Sequence, residues 1–182
     1  MFRRVRFLPL LLMTTTPAQA SDLFYGLGVI NQKVDVTVTS GGSSATGSES
    51  SSGLALFADY YYRSKYRFNG TLGYVDYTDF YTLSVTASAD YLFPYDDRTT
   101  FFAGVTGGGI SQVYNDSSLS DMAVSYLAGY QLGGIWLASR NIMLELGYRQ
   151  RSTDLETDIT STGAVATVDQ VSETYLSVYF LF

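Results

Sequence analysis

The chain has no cysteine and no histidine among its 182 residues. The first absence excludes a disulfide framework. The second removes the commonest general base and metal ligand together. Proline is scarce, and after position 20 only Pro94 occurs. No apolar run reaches the roughly 20 residues that a membrane helix needs. Basic residues are also few, 11 Lys and Arg against 17 Asp and Glu. That balance argues against nucleic acid as a partner.

The first twenty residues read as an export signal. Arg3, Arg4 and Arg6 make a charged start, Phe7 to Met13 is a short apolar core, and Ala18 to Ala20 is a small-x-small cleavage site. The order of these parts predicts a cleaved secretory signal peptide over 1–20 and a single barrel domain over 21–182. The signal would take three arginines and no carboxylate with it, leaving the rest more acidic still.

What is abundant is aromatic. The chain has 16 Tyr and 11 Phe, and its mean hydropathy is slightly positive, +0.07. Apolar residues recur at every second position in eight segments, near 23–36, 53–62, 66–77, 80–92, 99–113, 122–137, 142–151 and 171–182. A period of two is a strand signal. Short turns at 63–65, 94–97 and 139–141 alternate with longer connections. The segment 40–52 reads as a flexible polar loop and 152–170 as a long acidic one. The 78–79 connection is short where a loop is expected. Eight strands are predicted, with ten as the alternative if 152–170 holds a hairpin extension.

Which face is apolar decides the solvent. In 66–77, Tyr66, Phe68, Leu72 and Tyr74 share one face, and Arg67, Asn69 and Thr71 share the other. A soluble core has no use for Arg67 beside Asn69, whereas a narrow polar lumen does. Aromatics collect at both strand ends, as bilayer interfaces select. Tyr62, Tyr66, Tyr91 and Trp136 fall in a lower belt. Tyr74, Tyr77, Phe80, Tyr81, Tyr126 and Tyr148 fall in an upper one. The chain ends on alternating apolar residues, with Phe180 and Phe182 pointing into lipid in the lower belt.

The terminal "ETYLSVYFLF" (173–182) resembles the signal that the outer-membrane assembly machinery reads, with Phe182 last and Phe180 two before it. "YLAGYQLGGIW" (126–136) followed by "IMLELGYRQR" (142–151) is similar to the penultimate hairpin of opacity-protein-like and OmpA-type barrels, and the Gly-rich "FFAGVTGGGISQ" (101–112) fits as well. The resemblance implies an all-β, eight-stranded antiparallel up-and-down transmembrane barrel in a Gram-negative outer membrane, with periplasmic termini. It implies outer-membrane lipid, lipopolysaccharide and the assembly machinery as partners, a monomer, and an extracellular ligand of unknown identity. Family members act mostly in surface interaction, adhesion or envelope structure. A narrow, low-conductance pore is the second reading.

No residue set points to catalysis. Enzymatic families of small barrels use an active-site histidine, so the chain is expected to be non-enzymatic, without cofactor or metal. "DLETD" (154–158) lacks the glycine and ligand spacing of a calcium loop. Gly107 to Gly109 precede strand pattern rather than a helix, which excludes a phosphate loop. The candidate site is a set of lumen charges, structural or gating. A lower cluster joins Asp59, Arg67 and Asp90, with Arg67 opposite Asp90 and diagonal to Asp59. An upper pair joins Arg149 and Glu173, with Glu145 also inward.

Overall fold

The computed structural model describes residues 23–114, 122–159 and 164–180. Eight strands follow in chain order: β1 (Leu23–Ser40), β2 (Ser43–Tyr62), β3 (Tyr66–Asp76), β4 (Phe80–Pro94), β5 (Thr99–Tyr114), β6 (Ala123–Ser139), β7 (Ile142–Ile159) and β8 (Ala164–Phe180). Each pairs antiparallel with the next, and β8 closes on β1. Closure leaves no sheet edge within the barrel wall, so the backbone is satisfied without water.

The period of two decides which side chains face lipid. On β4, Thr82, Ser84, Thr86, Ser88 and Asp90 are buried in the lumen. Leu83, Val85, Tyr91 and Phe93 alternate with them on the outside. Polar residues in and apolar residues out is the reverse of a soluble barrel. Tyr91 and Tyr81 stand ten residues apart on β4. At ~3.3 Å per residue and a ~40° tilt they bracket roughly 25 Å of height, the thickness of an apolar band.

The turns at 63–65 and 140–141, the β4–β5 connection, Leu23 and Phe180 lie at one end, since Tyr25 pairs with Phe180. At the other end the wall is uneven. The 40–52 segment is not a loop. Gly41 and Gly42, at φ +57° and +85°, make a two-residue turn, and the Ser-rich run from Ser43 pairs residue for residue with β1. The reason is that β1 continues as alternating Val and Thr to Ser40, and a strand already formed offers hydrogen bonds to any backbone beside it. Residues 152–159 and 164–170 likewise extend β7 and β8, so the strands among the described residues number eight. Above Gly53, β2 pairs with β1 alone, while β3 and β4 join low across 77–79. The strands β2, β1, β8 and β7 therefore form a tall wall facing a low lip.

Candidate functional site

The lumen is filled at mid-height by charge. Arg67 on β3 stands opposite Asp90 on β4, and Asp59 on β2 stands opposite Asn69, one diagonal step from Arg67. The Arg67 guanidinium donates through Nε to Asp90 at 2.8 Å and through Nη1 to Asp59 at 3.1 Å. The same Nη1 crosses the barrel to Glu145 of β7 at 2.6 Å. Its plane lies over the Phe102 ring, 4.1 Å from the centroid. All four charged side chains of this cluster are withdrawn from solvent.

A second layer sits above. Arg149 on β7 is opposite Glu173 on β8, with Nη1 and Oε1 3.5 Å apart. Its guanidinium covers the Tyr175 ring at 4.3 Å. Arg151, two residues along the same face, holds Glu173 more closely, at 2.6 Å. Neutral groups join the layers. Asn69 donates to Asp59 and accepts from Arg149 at 3.3 Å. Gln131 donates to Asp90 at 2.6 Å, and the Tyr175 hydroxyl donates to Glu145 at 2.7 Å. Gln32 donates to Glu173 and accepts from Thr82 and Tyr77. Three guanidinium groups thus face four carboxylates with amides between them.

The lower cluster, the upper pair and Glu145 all occupy the lumen. The sequence reading stopped short of three features. It missed Arg151, although its parity with Arg149 was a usable signal. It missed Gln32 and Gln131, which carry no charge to draw attention, while Asn69 stands in the lumen beside Arg67 as its parity required. It could not foresee the contact of Arg67 with Glu145, because the two strands are not neighbours in the sheet.

Two of the upper-belt residues belong elsewhere. Tyr77 and Phe80 are buried, and their rings stack with centroids 4.4 Å apart as a cap on the lumen. Alternation turns them inward, since Tyr77 keeps the parity of Arg67 and Val75 and Phe80 that of Thr82, and the Tyr77 amide bonds the Phe80 carbonyl across the turn. The lower-belt residues Tyr62, Tyr66, Tyr91 and Trp136 are exposed on the outer face, and so is Phe180. Phe182 and the signal segment lie outside the described residues. No cluster of acidic side chains among the described residues is close enough to hold a metal ion. Each lumen carboxylate accepts hydrogen bonds from its neighbours, so the network is a packed polar core rather than a free base.

No protein-family model and no curated protein matches the chain. Solved structures do match. Neisserial surface protein A is 19% identical at a TM-score of 0.59, over 86% of this chain and 97% of that one. The outer-membrane protein OprG of Pseudomonas aeruginosa is 13% identical at 0.55, over 88% and 96%. Ail, the attachment invasion locus protein of Yersinia pestis, is 12% identical at 0.51 in its complex with the heparin analogue sucrose octasulfate, over 87% and 99%. The fold is that of the small eight-stranded outer-membrane β-barrels. At these identities the likeness concerns the fold, and such barrels share a wall while differing in lumen and loops.

Proposed function

We propose that this barrel is a non-catalytic outer-membrane protein that works at the cell surface through its loop-end hairpins. The observation that carries the reading is the closed lumen. Ion-paired side chains from β2, β3, β4 and β7 meet across it, 0% exposed. A conducting pore needs a water path past these side chains, and their burial argues against one. The tall wall is then the part free to meet a partner.

Charge narrows the partner. Among the described residues of the loop end, Asp35, Glu49, Asp76, Asp79, Asp154, Glu156 and Asp169 stand with Lys33 as the one basic residue. At the turn end lie Arg63, Lys65, Arg98 and Arg140 with Asp96 and Asp97. Ail was crystallised with a sulfated sugar. The acidic loop end here would repel such an anion and suits a cationic or neutral partner. The export signal, the outward Phe180 and the aromatic belts support outer-membrane residence with periplasmic termini. Insertion by the assembly machinery and contact with lipopolysaccharide follow from that residence.

Two measurements test the reading. The chain lacks cysteine, so single-cysteine variants label cleanly. Ser43→Cys should react with an impermeant maleimide on intact cells, and Ser64→Cys only after the outer membrane is opened. The reverse pattern would invert the topology. Folded protein in a planar bilayer should be silent. Discrete conductance steps that change with Arg67→Met would replace the surface reading with the narrow pore.

A further inference from the structure

The low lip and the tall wall enclose a cavity of about 290 Å³ at the loop-end mouth. It is lined by Val36, Glu49, Phe80, Gln112, Thr157 and Val168, drawn from six strands. Register places these side chains inside. Glu49 is opposite Val34, Gln112 is opposite Thr82, and Val168 is opposite Leu155, each partner buried in the lumen. The floor is the Phe80 ring, stacked on Tyr77, which bonds to Gln32 of the lumen network below.

Three features specify a ligand. Glu49 is half-buried and faces the cavity. Among the described residues it forms no ion pair, because Lys33 lies on the outer face bonded to Asp35, and Arg151 is committed to Glu173. A carboxylate partly withdrawn from water without a cation is unfavourable, and a cationic ligand relieves that. Phe80 offers an aromatic ring to the same space, which attracts a cation electrostatically. Val36, Val168 and Phe80 supply apolar contact, and the volume lies near the lower limit of small-molecule pockets, roughly 300 Å³. Gly47, opposite Val36, also lines the cavity, and a Cβ added there would meet nothing within 4 Å.

We propose that the mouth cavity binds a small organic ammonium ion, with Glu49 as counter-ion and Phe80 as the aromatic wall. The site needs only a folded barrel, so its failure would leave the surface reading intact.

The test uses the refolded barrel in lipid nanodiscs and phenyltrimethylammonium as probe, followed by chemical shifts of probe and protein. Saturable binding is expected, and benzenesulfonate, of similar size and opposite charge, should not bind. Glu49→Gln should weaken the probe by about tenfold or more, the loss of one charge-assisted contact. Glu156→Gln removes an acid from the outer face of the same wall and should leave binding unchanged. Gly47→Leu fills the cavity without touching charge and should abolish binding. It also keeps the test decisive if Glu49→Gln refolds poorly. No saturation at millimolar probe, equal loss from Glu156→Gln, or full binding by Gly47→Leu would each overturn the site.

Discussion

Arg67 of β3 and Glu145 of β7 meet across the barrel at 2.6 Å, 78 residues apart in the chain. The strands that carry them are separated in the wall by β4, β5 and β6. The same guanidinium holds Asp59 and Asp90. One side chain thereby ties both halves of the wall together.

Arg67→Met should therefore destabilise the barrel strongly. It leaves three buried carboxylates without their shared cation, and removing one partner of a buried pair costs about 3–5 kcal/mol. Lys65→Met, in the adjoining turn, should change stability by less than about 0.5 kcal/mol. Urea unfolding of both variants in lipid vesicles measures the difference. A loss below about 1 kcal/mol for Arg67→Met would mean that the network fills space without holding the wall.

Glycines on the two faces should respond oppositely. A Cβ on Gly104 would collide with the Ala89 carbonyl and the Asp90 carboxylate that binds Arg67. Gly104→Ala is expected to cost about 1–3 kcal/mol through overpacking. Gly70 points to lipid, and its nearest atom, the Ala58 carbonyl oxygen, is 3.9 Å away. Gly70→Ala should be neutral or slightly stabilising. The fraction that keeps its folded mobility on an unheated gel compares the two.

Val85 is 61% exposed on the outer face at mid-strand. In lipid, Val85→Arg should cost about 2–4 kcal/mol, the midplane value for a basic residue on a barrel. Ser50→Arg, on the outer face of the tall wall, should cost little. Refolding into vesicles of fixed thickness reads both. Equal penalties would place the wall and the band in the same medium.

Asp96 governs one turn by its charge. Its carboxylate accepts the backbone amides of Arg98 and Thr99 at 2.8 and 2.6 Å. Those hydrogen bonds hold its pKa below the ordinary carboxylate value of 3.8. A depressed pKa contributes stability above the unfolded value, lost as pH falls through the folded one. The protection of the Arg98 and Thr99 amides, their exchange relative to an unstructured peptide at the same pH, should therefore be high at neutral pH and fall on acidification below about pH 4. Asp96→Ala should show low protection throughout. A pH profile unchanged by that substitution would show that the turn holds without the carboxylate.

The membrane-spanning strands were legible because a barrel wall is local chemistry. Alternation of Leu83, Val85 and Tyr91 with Thr82, Ser84 and Asp90 fixes both the strand and its lipid face. The register of β3 with β4 was legible too, since a short connection leaves few ways to align Arg67. The extensions above the wall were not. Ser43 to Ser52 carry no apolar alternation, and only the β1 backbone beside them makes them a strand. The inward facing of Tyr77 and Phe80 was open to reading from parity, since they alternate in step with Arg67 and Asp90, but their aromatic character pointed to an interface.

By itself the sequence determined the medium and the wall. Period-two apolarity, aromatic ends and a closing strand are properties of neighbouring residues, and burial of each alternate side chain enforces them. The tertiary structure alone decided what fills and crowns that wall. Closing the ring brings Arg67 to Glu145, and it sets Glu49 of β2 and Phe80 of β4 around one cavity. Neither arrangement joins adjacent strands. They exist because side chains around a narrow ring have only each other to satisfy their charge.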